Sequence, residues 1–337
     1  IGALEAGDGI APTTAANYRH CAQHVCRYLG KARVDEITGD MVLRMQSMLL
    51  ADELCPNTVA RAHRFLKQAL RYAVDEGIIA RSPFTRHVKA PRRTQPEPNS
   101  LDRDGRERLL SWLDSVGDTE MTLAIRLGLA CGLRREEMCG LRWRDVDLDL
   151  HLLRVRVAVS QCEGKAFVKG PKTPRSRRDV PLEPDLEARL ARRRKRVARE
   201  CSPEARERVG DLYVLGNARG NYYYPDRLSK EFGPISKMLD LRGTTGRRIG
   251  LHDLRHTYAT YLVAAGTDIK TVSSLMGHAN AAMTLNTYAS ADPDARASAL
   301  EIIARQMAAR PRRDVRRRPA LSDSDDAEGE VWELRVV

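Results

Sequence analysis

The sequence lacks the marks of a membrane protein, of a disulfide scaffold and of a metal enzyme. Its longest apolar stretch, residues 121–133, is interrupted by Arg126 and is shorter than the roughly 18–20 residues that cross a bilayer. The seven cysteines are odd in number and show neither a CxxC pair nor the Cys/His spacing of a metal site. Clustered carboxylates at metal-ligand spacing, which a metal-dependent nuclease would need, are also missing. We therefore expect reduced thiols in a cytoplasmic protein without a metal.

Positive charge, by contrast, is in excess. Among 337 residues, 57 lysines and arginines stand against 45 aspartates and glutamates, which gives a formal net charge of +12. Such an excess favours a polyanionic partner, either a nucleic acid or an anionic membrane surface, and charge alone does not choose between them. The chain is long enough for two domains that each bury a core.

Apolar residues recur at helical spacing in the first part of the chain. The pattern predicts helices over residues 13–29 and 37–50, and a third that Asn57 caps and Gly77 closes. Because no strand pattern accompanies them, we predict a helical domain over residues 1–90.

This periodicity disappears between Thr85 and Ser100, where prolines and basic residues are mixed. We predict an extended linker over residues 91–100. The basic side chains in and before it either follow a nucleic-acid backbone or belong to a solvated tether, and composition leaves both interpretations open. These candidate DNA-binding residues are Arg86, Lys89, Arg92 and Arg93.

The rest of the chain combines helical patterns with a few strands, in a domain predicted to span residues 101–310. Alternation predicts strands over 151–159, 166–169, 177–182 and 211–215. Helical spacing predicts helices over 119–131, 134–141, 183–200, 225–240, 252–265, 268–276, 283–290 and 293–309. The expected fold class is mainly α with a small antiparallel β-sheet (α+β). The basic face of the arginine-rich helix over 183–200 is either solvated or directed at phosphates. Residues 311–337 are expected to be a disordered tail.

Two short segments place arginine where it suits a phosphate. His252 and Arg255 lie three residues apart, so on a helix they share a face and can address one phosphate together. Arg134 follows a Gly-Leu pair at a predicted helix start, where backbone amides also favour an anion. Glu137, one turn later, is placed to hold that turn. The plain alternatives are a surface ion pair at one helix start and an ordinary i, i+3 pair at the other.

Three further residues complete a set suited to phosphodiester chemistry. Lys172 lies in a loop that enters a strand, where an ammonium group can protonate a leaving oxygen, although Lys169 is a rival and a turn lysine is the ordinary interpretation. His278 follows the helix predicted over 268–276. Tyr288 lies ten residues further on. A tyrosine attacks a phosphate only beside a base or strong cations, and most tyrosines simply pack.

In order and spacing these segments resemble the tyrosine recombinase, or phage integrase, family. The family pattern runs from Gly-Leu-Arg-x-x-Glu through a hairpin lysine to His-x-x-Arg, then to Leu-x-Gly-His and the tyrosine. The matching segments here are residues 132–137, 171–173, 252–255 and 275–278, followed by Tyr288. The resemblance covers roughly residues 10–300. It implies a two-domain, C-shaped clamp of the DNA breaking-rejoining type, in which residues 1–90 are a SAM-like core DNA-binding domain and residues 101–310 the catalytic domain.

The resemblance also implies a role for each residue. Tyr288 would be the nucleophile that attacks the scissile phosphate, giving a 3′-phosphotyrosyl link and a free 5′-hydroxyl. Lys172 would be the general acid toward the departing oxygen, His252 would assist proton transfer at the tyrosine, and Glu137 would support the site. The residues implied to hold the non-bridging oxygens are Arg134, Arg255 and His278. Because a phosphotyrosine conserves bond energy, neither a metal, nor ATP, nor another cofactor is implied.

The implied function is site-specific DNA recombination that integrates or excises a phage or mobile element. The partners would be double-stranded DNA at att-type sites, four copies of the chain on that DNA, and an excisionase or a host DNA-bending protein. The enzyme would work in the bacterial cytoplasm, at the nucleoid when bound to DNA. Alternatives with the same chemistry are a type IB topoisomerase-like relaxing enzyme and a Xer-like or transposon-resolving recombinase. An apolar stripe on the helix predicted over 293–309 either docks on a neighbouring copy or folds back on its own domain.

Overall fold

The computed structural model describes residues 10–94, 97–170, 176–278 and Thr284. Contacts group the chain into residues 1–292 and 293–337, and every described residue belongs to the first group. The helices are α1 Pro12–Leu29, α2 Gly39–Ala51, α3 Pro56–Asp75, α4 Arg103–Val116, α5 Glu120–Cys131, α6 Arg135–Gly140, α7 Pro184–Glu200, α8 Pro203–Glu207, α9 Pro225–Met238, α10 Leu251–Ala264 and α11 Ile269–Met276. The strands are β1 Val146–Asp147, β2 Leu152–Val155, β3 Ala158–Cys162, β4 Lys165–Lys169 and β5 Arg178–Pro181.

This architecture is mainly helical with small antiparallel sheets, so the predicted fold class is confirmed. All seven cysteines are free thiols. None of the described helices combines the length and the apolar character that a bilayer crossing requires. The helix predicted over 293–309 and the tail at 311–337 lie outside the described residues, as does the helix predicted over 283–290 except for Thr284.

Helices α1 to α3 bury their apolar stripes against one another. Their shared core contains Val42, Met45, Leu49, Leu66 and Leu70. α3 begins at Pro56 with Cys55 as its N-cap, so Asn57, the predicted cap, lies inside the first turn. Proline fits the first helical position because its φ is already near the helical value and its missing N–H would have no partner there.

The segment that follows α3 is held by packing near its start and by hydrogen bonds at Thr94 and Asn99. Phe84 and Val88 pack on the core of α1 to α3, and the Asn57 side chain donates to the Thr94 carbonyl at 2.7 Å. Asn99 is buried, and its amide oxygen accepts the hydroxyl of Thr245 at 2.7 Å. The four basic side chains of this segment, at Arg86, Lys89, Arg92 and Arg93, are exposed.

A second apolar core lies among the helices and strands from α4 onward. Its members include Leu109, Leu123, Trp143, Phe232 and Leu254. α4 was not predicted, because charged residues and Gly105 interrupt its pattern. The helix nevertheless forms, with Asp102 accepting the N–H of Gly105 at 2.7 Å as N-cap and Leu109 and Leu113 facing inward.

The strands form two small antiparallel sheets. One has the order β1-β2-β5, with Leu153 opposite Val180, and the other is the hairpin of β3 and β4, with Val159 opposite Val168. The single strand predicted over 151–159 is therefore two strands in different sheets. The strand predicted over 211–215 is also wrong: a 3₁₀ turn ends at Asp211, and only one bridge, from Arg142 to Tyr213, follows.

The arginine-rich helix α7 turns part of its charge inward. Arg189 contacts Asp114, Asp118 and Asp185 at 2.7–2.9 Å. Arg193, with 2 % of its side chain exposed, contacts Glu120 at 2.8 Å. These ion pairs join α7 to residues before and within α5. Arg189 and Arg193 therefore neither face solvent nor remain available to bind a phosphate.

Candidate active site

The turn between α5 and α6 carries the first arginine of the site. Gly132 ends α5 with a φ of 59°, and a Cβ there would lie 2.4 Å from a ring carbon of Tyr258, so only glycine fits. Arg134 directly precedes α6. Its backbone N–H donates to Glu137 Oε2 at 2.8 Å and its guanidinium to Glu137 Oε1 at 2.8 Å. Glu137 thereby fixes the direction of Arg134, of whose side chain 31 % stays exposed.

Glu137 is buried and binds a second arginine from strand β5. The Nη1 and Nη2 atoms of Arg178 donate to its two carboxylate oxygens at 3.1 and 2.8 Å. Burial by itself raises the pKa of Glu137. The hydrogen bonds and charge of Arg178, aided by Arg134 and Arg255, prevail and hold that pKa at about 2. Glu137 is consequently a carboxylate at any physiological pH.

Helix α10 supplies Arg255 and His252. Arg255 is buried, and its Nη1 donates to the carbonyl of Gly132 at 2.5 Å while its Nη2 donates to the carbonyl of Met276. His252, in the first turn, is exposed at the surface. The protein around it and the charge of Arg255 nevertheless lower its pKa. His252 is therefore a neutral imidazole near pH 7, able to accept a proton.

The C-terminal end of α11 is where the three arginines meet. Arg178 Nε donates to the carbonyl of Leu275 at 2.6 Å, Arg255 to that of Met276, and Arg134 Nη2 to that of Gly277 at 3.2 Å. The last carbonyls of a helix have no partner within the helix and carry partial negative charge, so guanidinium groups satisfy both needs. The end of α11 thus gathers three cations from three different parts of the chain.

His278 leaves this helix end directly. Gly277 turns the chain with a φ of 60°, and the Nδ1 of His278 lies 2.8 Å from the hydroxyl of Thr284. Burial, followed by the charges of Arg255, Arg134 and Arg178, lowers the pKa of His278 to about 4. His278 is therefore neutral at physiological pH and offers one ring N–H as a donor.

Two aromatic residues of α10 complete the surroundings of these groups. The ring of His256 packs edge-on against that of His252, with centroids 5.1 Å apart. Tyr258 is buried against Gly132, and burial raises the pKa of its phenol to about 12. The phenol of Tyr258 stays protonated at physiological pH, and its burial indicates a packing role.

The structure thus brings together Arg134, Glu137, Arg255 and His278, with His252 at the start of the same helix as Arg255. Lys172 and Tyr288 lie outside the described residues. Lys169, the rival of Lys172, is the last residue of β4, opposite Ala158. The four basic residues near the linker belong to the surface described above and not to this cluster.

Arg178 is the residue that sequence reasoning missed. It lies in the strand predicted over 177–182, whose alternation places it on the same face as the buried Val180. That face was the available signal, because a buried arginine requires an acidic partner. Its partner Glu137 lies 41 residues away in sequence, and no local pattern connects the two.

The cluster is cationic: Arg134 and Arg178 bind the single carboxylate of Glu137, and Arg255 joins them at the carbonyls that end α11. Among the described residues no group of three His, Cys, Asp or Glu is placed to hold a metal ion. An arrangement of this kind can bind a phosphate between fixed donors and stabilise charge that builds on its oxygens.

The chain is similar to known proteins over most of its length. The profile described as the phage integrase family matches residues 99–294, and the profile of the phage integrase SAM-like domain matches residues 4–90. The chain is 31 % identical to the tyrosine recombinase XerC of Chlorobaculum tepidum over 267 residues, which cover 72 % of each chain. It is 26 % identical to the ICEBs1 integrase of Bacillus subtilis over 79 % of this chain and 70 % of that protein.

Solved structures share the fold. The Tn1549 transposon integrase, in complex with transposon right end DNA, superposes with a TM-score of 0.70 at 22 % identity, over 90 % of this chain and 97 % of that one. A lambda integrase dimer bound to a COC′ core site gives a TM-score of 0.58 at 20 % identity, over 85 % of this chain and 91 % of that one.

Proposed function

Because the chain belongs to the phage integrase family of tyrosine recombinases, we propose that it cuts and rejoins DNA at specific sites through a 3′-phosphotyrosyl intermediate. The observation that carries the proposal is the meeting of Arg134, Arg255 and His278 at the end of α11, in the stretch of chain that leads to Tyr288. An ordinary tyrosine has a pKa of about 10, so it attacks a phosphodiester only where fixed donors stabilise the developing charge.

The first step exchanges one phosphorus–oxygen bond for another. The phenolic oxygen of Tyr288 bonds to phosphorus, the bond to the 5′-oxygen breaks, and that oxygen takes a proton from Lys172. Neutral His252 receives the proton of the tyrosine. The 5′-hydroxyl of a second strand then bonds to the phosphorus and gives its proton back to Lys172, while the bond to Tyr288 breaks and His252 returns the proton to the phenol. Since each step conserves the number of phosphoester bonds, no ATP is consumed.

The non-bridging oxygens are held by donors of two kinds. Arg134 donates from the exposed part of its side chain. Arg255 is buried with its N–H groups bound to carbonyls, so it contributes positive charge to the site. In the tautomer whose Nδ1 accepts the Thr284 hydroxyl, His278 keeps its Nε2–H to donate to the phosphate. Donors already held by carbonyls and a carboxylate need little reorganisation when charge develops.

The two matched profiles support a two-part clamp on DNA. We assign residues 1–90 to a core DNA-binding domain, 91–100 to the linker, 101–310 to the catalytic domain and 311–337 to a tail. The exposed basic residues from Arg86 to Arg93 face solvent on the segment that joins the two domains, where a duplex would run. Phosphate contacts of this kind supply affinity but do not read sequence.

The biological substrate is DNA of a mobile element or phage, cut at att-type sites and joined again. A Xer-like role, the resolution of joined DNA molecules, is the second candidate, because the 31 % identical relative is a XerC. Recombination requires four active protomers on two duplexes, with an excisionase or host DNA-bending protein setting direction. All of this takes place in the cytoplasm, at the nucleoid.

A nicked suicide substrate, from which the cut 5′ end diffuses away, tests the chemistry. The unaltered protein is expected to accumulate a covalent protein–DNA adduct. Tyr288→Phe is expected to bind the same DNA with unchanged affinity and to form none. A normal adduct yield from Tyr288→Phe would show that another residue is the nucleophile.

Recombination assays separate the related functions. Relaxation of supercoiled DNA without exchange of strands would identify a topoisomerase. Sequenced junctions between two different att-type sites would identify an integrase, and junctions between two identical sites a resolving recombinase.

A further inference from the structure

Arg178 is a buried charge that none of the proposed chemical steps uses. Only 4 % of its side chain is exposed, compared with 31 % for Arg134. It therefore has no free face to offer a DNA phosphate. Apart from a 3.5 Å contact with the Ser176 carbonyl, its N–H groups are committed to two partners that belong to the site.

The first partner is Glu137. Both terminal nitrogens of Arg178 bind its two carboxylate oxygens, at 3.1 and 2.8 Å, and the same two oxygens accept the backbone and the guanidinium of Arg134 at 2.8 Å each. Glu137 is thus a bridge with Arg178 on one side and Arg134 on the other. A bidentate pair fixes direction as well as distance, so the plane of the Glu137 carboxylate follows Arg178.

The second partner is the end of α11. Arg178 Nε donates to the Leu275 carbonyl at 2.6 Å, and a Cβ on Gly277 would lie only 3.0 Å from Arg178 Nη1. The side chain therefore lies directly against the turn that places His278. A single guanidinium contacts both the support of Arg134 and the support of His278.

We propose that Arg178 is the positioning residue of the site, orienting Arg134 through Glu137 and His278 through the end of α11. The inference rests on the proposed function, because it assigns Arg178 a part in DNA cleavage. It adds a residue that touches neither phosphate nor nucleophile and yet determines where two phosphate-binding groups lie.

The proposal has a pH signature. The charged groups that face Glu137 are Arg134 before α6, Arg178 on β5 and Arg255 on α10. Burial raises the pKa of Glu137, and without Arg178 only Arg134 and Arg255 oppose that effect. The pKa of Glu137 in such a variant therefore rises from about 2. Below that raised pKa the carboxyl is neutral and holds Arg134 weakly. Cleavage by such a variant should fall as the pH is lowered and recover as the pH is raised.

The experiment measures single-turnover cleavage of the suicide substrate by the full chain across the pH range in which the unaltered protein stays folded. Arg178→Met is expected to lose about 10²-fold in cleavage rate at the acidic end, the effect of misplacing a group by roughly 1 Å. It should regain much of this at the alkaline end. Adding Glu137→Gln to Arg178→Met should abolish the pH dependence, because the titrating group is gone. Arg178→Lys, which keeps one cation beside Glu137, should restore part of the rate and keep a weaker pH dependence in the same direction.

A matched control separates positioning from stability. Arg193 is equally buried and also binds one carboxylate and two carbonyls, but in α7 and away from the site. Arg193→Met should lower the melting temperature and leave the pH profile of cleavage unchanged. If Arg178→Met does not fold, the profile of Arg178→Lys decides.

A pH-independent loss in both Arg178 variants, or a rate equal to that of the unaltered protein, overturns the proposal for Arg178 alone. Absence of any covalent adduct with the unaltered protein overturns the proposed function, and the role of Arg178 with it.

Discussion

Glu137 orders several cations although it is a single buried carboxylate. Arg178 and Arg134 bind it directly, and Arg255 adds its charge from α10. Because its folded pKa of about 2 lies below the ordinary value of 4.5, ionised Glu137 favours the folded state at neutral pH. That contribution is lost as the pH falls from about 4.5 toward 2. One residue therefore serves both stability and the geometry of the site.

Gly277 is a second residue on which the site depends. At its φ of 60° a residue with a side chain costs about 1–2 kcal/mol of stability. A Cβ on Gly277 would also lie only 3.0 Å from Arg178 Nη1. We expect Gly277→Ala to lower both the free energy of unfolding and the rate of DNA cleavage. Chemical denaturation and the suicide-substrate assay measure the two effects.

Gly77 provides the comparison for Gly277. It has a similar φ of 70°, but a Cβ there would meet nothing within 4 Å. Gly77→Ala should lose stability through backbone strain alone and keep its cleavage rate. Equal cleavage by the two alanine variants would contradict the importance of the Gly277–Arg178 contact.

At the scale of elements, helix patterns were more reliable than strand patterns. α5 was predicted within one residue of its start, because Thr119 caps it and Gly132 ends it. The strand predicted over 151–159 divides after Val155 because its two halves pair with different partners, β5 and β4. Alternation reports which face is buried, and it does not report which strand lies alongside.

The basic segment between the two cores should make the affinity for DNA depend on salt concentration. Each phosphate contact contributes about 0.9 to the slope of log affinity against log salt concentration. We expect the slope to decrease by about 3–4 when four exposed residues are changed to alanine, namely Arg86, Lys89, Arg92 and Arg93. Fluorescence anisotropy with a labelled duplex at several salt concentrations measures it.

Helix α7 offers a control of equal charge. Its four exposed basic residues are Arg192, Lys195, Arg196 and Arg199. Their replacement by alanine should leave the slope unchanged, because we assign the duplex to the joining segment, and Arg192 is in addition paired with Asp118 of its own chain. A slope that falls equally for both sets would mean that net charge, and not the segment, determines binding.

At the scale of the whole molecule, the proposed exchange of strands calls for several copies of the chain on one DNA complex. The predicted helix over 293–309, outside the described residues, carries an apolar stripe that a neighbouring copy can cover. We expect sedimentation of the full chain with two recombination sites to show four protomers. A chain ending at residue 292 is expected to bind single sites and to form few tetramers. Normal tetramers from the shortened chain would place the stripe in its own subunit.

The sequence by itself determined the class of fold, most helices and the residue types of the site. Helical periodicity and caps are local, and the arginine, histidine and tyrosine motifs stand in a recognisable order. Tertiary structure alone decided that Arg178 binds Glu137, that α4 forms, and that the carbonyls of α11 receive three guanidinium groups. These contacts join positions up to 143 residues apart, as from Arg134 to Gly277. They depend on which buried charges can neutralise one another once the core has excluded water, and no neighbouring residue encodes that choice.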